Sequence, residues 1–64
     1  MAITQDMSVP EIVAGFPATK PVFAEFGIPT QDVKALEYEN LFATARVQQV
    51  DLQALLKRLN EVAG

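Results

Sequence analysis

No cysteine and no histidine occur in this chain of 64 residues, and that double absence narrows its possible folds more than any motif does. A chain this short buries only about 60% of the surface its unfolded form exposes. Its core alone supplies about 3–5 kcal/mol, so domains of this size commonly add a disulfide or a structural metal. Thiolate and imidazole metal sites are excluded with the two missing residue types. What remains is burial, and 50% of the residues are hydrophobic. Association, with a second copy or with another protein, is the staple still open to such a chain.

The hydrophobic residues fall in helical registers. In "SVPEIVAGF", Ser8 and Glu11 have the spacing of a capping box, and Pro10 sits in the first turn, where its missing N–H costs little. Val9, Ile12, Val13 and Phe16 then share one face, and Gly15 and Pro17 end the segment. A second helix, "KPVFAEF", takes Thr19 as its expected cap and Pro21 in its first turn. Gly27 is placed to close it in the left-handed conformation, with Ile28 folding back on Phe23. Val22 and Phe26 complete that apolar set. "NLFATARVQQ" predicts a third helix capped by Asn40, with Leu41 and Ala45 inward. Asp51 caps the clearest helix, "LQALLKRLNEVA". Leu52, Leu55, Leu56, Leu59 and Val62 line one side of it; Gln53, Lys57, Arg58, Asn60 and Glu61 face water. Ile3 adds an extended N-terminal cover. The expected fold is therefore all-α: one domain over residues 1–64, a compact mini-bundle of about four short helices.

Composition removes several function classes. Eight acidic against five basic side chains give a net charge of -3. Lys20, Lys34, Arg46, Lys57 and Arg58 are scattered, so nucleic-acid binding lacks its basic footprint. No apolar run approaches the roughly 20 residues of a membrane span. The start "MAITQDMS" carries no signal-type pattern, and with no cysteine the expected setting is the cytoplasm. A nucleophile needs an adjacent base, and without histidine only dispersed carboxylates, lysines or Tyr38 could serve. No catalytic role and no cofactor are expected.

The connection "GIPTQDVKALEYEN", residues 27–40, is long for a helical bundle, where joins usually take about 2–8 residues. Asp32, Glu37 and Glu39 are candidate ligands for a hard cation, but their spacing matches no known calcium loop. "PTQD" with Thr30 as cap has the form of an anion-accepting helix start, a pattern shared by nearly every helix start.

"ITQDM", the "FP" at Phe16 and Pro17, the "FGI" at residues 26–28 and "VDLQALLKRLN" occur here in a recognisable order. The chain resembles, from Ile3 to Asn60, a family of small helical domains found alone or beside hybrid-cluster-associated disulfide reductases. That family is related to the N-terminal domain of the repair-of-iron-centres proteins. Its typical members carry a Cys-x-x-Cys just after the "FG" turn. The matching positions here are Thr30 and Val33, so the resemblance implies an inherited loop without its thiols and carries no redox role onto any residue.

The third helix in relatives tends to read Leu-Glu-Glu-Ala, whereas this chain has Leu41, Phe42, Ala43 and Thr44. An aromatic ring thus stands where a solvated carboxylate is usual. Exposed beside Val33, Leu36 and Tyr38, it would form an apolar patch of the kind that marks an interaction surface. Folded under the connection, it would be core. The expected function is a non-catalytic interaction domain, homodimerising or binding another protein through Val33, Leu36, Tyr38, Phe42 and Val47. The alternative is a small-ligand or accessory module for a redox or iron–sulfur-related enzyme, which the resemblance alone implies.

Overall fold

Ser8 starts the first helix as its spacing requires. Its hydroxyl accepts from the Glu11 amide at 3.2 Å, and the Glu11 carboxylate accepts from the Ser8 amide at 3.3 Å. The computed structural model describes residues 2–30 and 38–63. Along them run α1 (Val9–Gly15), a 3-10 turn (Pro17–Thr19), α2 (Lys20–Glu25), α3 (Leu41–Gln48) and α4 (Leu52–Ala63). Among the described residues there is no strand, only an isolated bridge between Ser8 and Asn40. The fold is all-α, with its long connection between α2 and α3.

Thr19 does not cap α2. It has helical backbone angles, and its hydroxyl donates to the Phe16 carbonyl at 2.6 Å. The 3-10 turn runs directly into α2, so Thr19 already has helical angles and Lys20 N–H is taken by Pro17 O; Pro21, at the second helical position, has no N–H for a cap to meet. At the other end, Gly27 takes a left-handed φ of 74°. The Ile28 amide then reaches Phe23 O at 2.9 Å and the Gly27 amide reaches Ala24 O at 3.1 Å. This paired closure folds Ile28 onto the core beside Phe23, as the sequence predicts. Asp51 opens α4 by accepting from the Gln53 and Ala54 amides.

The core gathers around Phe23, with Val9, Ile12, Val22, Leu41, Leu55 and Leu59. Val13, Phe16, Phe26, Leu52, Leu56 and Val62 pack against it as a half-buried shoulder. Ile3 is fully buried there, so the N-terminal segment is a true core layer. Asn60, expected to face water, instead holds that segment: its carboxamide oxygen accepts from Ile3 N–H at 2.9 Å, and its amide donates to Ile3 O at 3.1 Å. Asn60 departs from its expected position because the N-terminal segment packs along that side of α4. Arg58 stays at the surface as expected and there bridges Glu25 of α2 at 3.4 Å and Glu61 at 3.7 Å.

Candidate functional site

Helix α3 is held firmly at its start, and that determines which of its side chains are left outside. Its first amides all find acceptors. Leu41 N–H meets Met7 O at 2.8 Å and Phe42 N–H meets Gln5 O at 3.2 Å. Ala43 N–H meets the Asn40 side chain at 2.9 Å, and Thr44 N–H meets Asn40 O at 3.0 Å. No donor is left at this helix start for an anion. The N-terminal segment thus serves as a tertiary cap, and it sets the rotation of α3.

That rotation buries Leu41, Thr44 and Ala45. The opposite side presents Phe42, Arg46 and Val47 to solvent. Phe42 is 43% exposed, Val47 68%, and Tyr38, before the helix, 88%. The Arg46 guanidinium carbon stands 5.9 Å from the centre of the Phe42 ring, within cation–π range. Phe42 and Arg46 are one turn apart and share a flank, whereas Val47 lies about 140° around the helix from Phe42. The expected interface residues therefore divide. Phe42 is a surface aromatic, not core; Val47 is exposed on the other shoulder; Val33 and Leu36 lie outside the described residues. Thr30, which the resemblance matches to a thiol position, is half-buried, and its counterpart Val33 is again outside. Of the candidate cation ligands, Asp32 and Glu37 also lie outside, leaving Glu39 half-buried just ahead of α3.

Arg46 is the residue that sequence reasoning missed. Its signal was available: a cation one turn after the departing aromatic, on the flank away from Leu41 and Ala45. Elsewhere, an open groove of about 550 Å³ lies along α4, lined by Gln53, Leu56, Lys57, Asn60 and Glu61. All its walls come from one helix, and Asn60 is already engaged by Ile3. Among the described residues no helix is long and apolar enough to cross a membrane. Comparison of the chain with protein-family models, curated proteins and solved structures returns no match.

Proposed function

We propose that this chain is a non-catalytic helical interaction domain that pairs with a second copy of itself through the outer side of α3 and the residues just before it. The observation that carries the reading is the 43% exposure of Phe42 on an otherwise well-anchored helix, with Arg46 laid across its ring. Aromatic and arginine side chains are the residues that most often dominate binding energy at interfaces. Tyr38, four residues before Phe42 in the chain, is also exposed. The resemblance to cysteine-bearing helical domains agrees with a member that has kept the scaffold and lost the thiols. The cytoplasmic setting belongs to this proposal and rests on the absence of cysteine.

The test is the oligomeric state across a concentration series, read by sedimentation equilibrium or light scattering. The expected result is a reversible dimer at high micromolar concentration. Phe42→Glu, which restores the charge usual in relatives, should raise the dimer dissociation constant at least about tenfold, equivalent to 1.4 kcal/mol. Its far-UV circular dichroism should not change, because among the described residues Phe42 lies outside the buried cluster. A strict monomer at every concentration overturns the reading.

A further inference from the structure

Among the described residues Arg46 has no carboxylate within ion-pair distance, whereas Arg58 has two. Glu39 likewise has no cation among the described residues. These two charges, without a partner among the described residues, straddle Phe42 in sequence, three residues before it and four after it. Four helical residues carry Arg46 about 6 Å along the axis beyond Phe42, and Glu39 precedes Phe42 on the other side, across the extended Asn40 cap.

We infer that the second copy docks antiparallel along α3, about a two-fold axis at Phe42, so that Arg46 of each copy meets Glu39 of the other. This rests on the pairing proposed above and specifies its register. A two-fold contact requires that if residue i meets j, then j meets i. Spacing about Phe42 satisfies that for the Arg46–Glu39 pair, giving two ion pairs flanking two aromatic rings. A parallel arrangement sets Arg46 against Arg46 and Glu39 against Glu39, and like charges opposed across an interface are disfavoured. The rings meet at the centre, where an offset-stacked or edge-to-face pair adds to the burial. Val47, about 140° round the helix, falls outside this contact.

The experiment is a charge-exchange cycle on the full chain, read by sedimentation equilibrium at low salt. Arg46→Glu and Glu39→Arg should each raise the dimer dissociation constant about tenfold, since each introduces two like-charge contacts. The double variant should return to within about threefold of wild type, and Val47→Ser should not differ from it. Wild type itself should dimerise several-fold more weakly at 0.5 M than at 0.05 M salt, a readout that needs no variant. A wild-type dimer whose double variant is not rescued overturns the register and leaves the pairing standing. A salt-insensitive dimer overturns the register too. A wild-type monomer at all concentrations overturns both.

Discussion

Thr44, in α3, and Gln49, which closes it, carry the two local costs visible at single positions there. Thr44 is fully buried, and its hydroxyl is the one buried side-chain polar atom without a hydrogen-bond partner among the described residues. An unmet buried group of this kind costs about 1–3 kcal/mol, while an apolar group of the same shape does not. Thr44→Val should therefore stabilise the fold by about 1 kcal/mol, seen as a rise in Tm of about 4–8 °C for a domain of this size. A lower Tm would mean that the hydroxyl has a partner. Gln49 closes α3 at a φ of 58°, with Val50 N–H reaching Ala45 O at 2.8 Å. This is the closure Gly27 makes after α2, performed by a residue with a side chain to accommodate. Gly27 announces its turn in the sequence because glycine enters the left-handed region without steric cost; a glutamine gives no such signal.

At the scale of elements, the N-terminal segment does more than cover the core. Met7 and Gln5 carbonyls take the first two α3 amides, and Ile3 is held at both its backbone groups by Asn60 of α4. One short segment thus ties α3 to α4 and fixes which flank of α3 faces outward. Asn60→Ala removes both contacts to Ile3, each worth about 0.5–1.5 kcal/mol. The expected loss is about 1–3 kcal/mol of stability. Amide exchange should quicken at Ile3 and then at Phe42, while α1, capped by its own Ser8 and Glu11, changes less. Equal acceleration in α1 and α3 would show that the segment is not a separate clamp. The capping box, the Gly27 closure and the α4 stripe were all legible because each is a pattern within one element. Asn60 was not, because its partner lies fifty-seven residues away and its wheel position reads as solvent.

At the scale of the molecule, the core closes within one copy. The radius of gyration is 10.1 Å, against about 11 Å expected for a compact chain of this length. Pairing is therefore not needed to complete the fold, but it should still add to stability by mass action. Tm should rise with protein concentration for wild type and stay flat for Phe42→Glu; a concentration-independent wild-type Tm counts against a dimer in that range. Sequence alone determined that this chain is helical, where most helices start and stop, and which side of α4 is apolar. Those properties are set by periodicity, capping and turn chemistry acting over a few residues. Only the tertiary structure decided that Phe42 is left outside with Arg46 across it, that Thr44 is sealed in, and that Asn60 faces the N-terminal segment. A helix's rotation about its axis is set by everything packed around it, and no window of neighbouring residues contains that information.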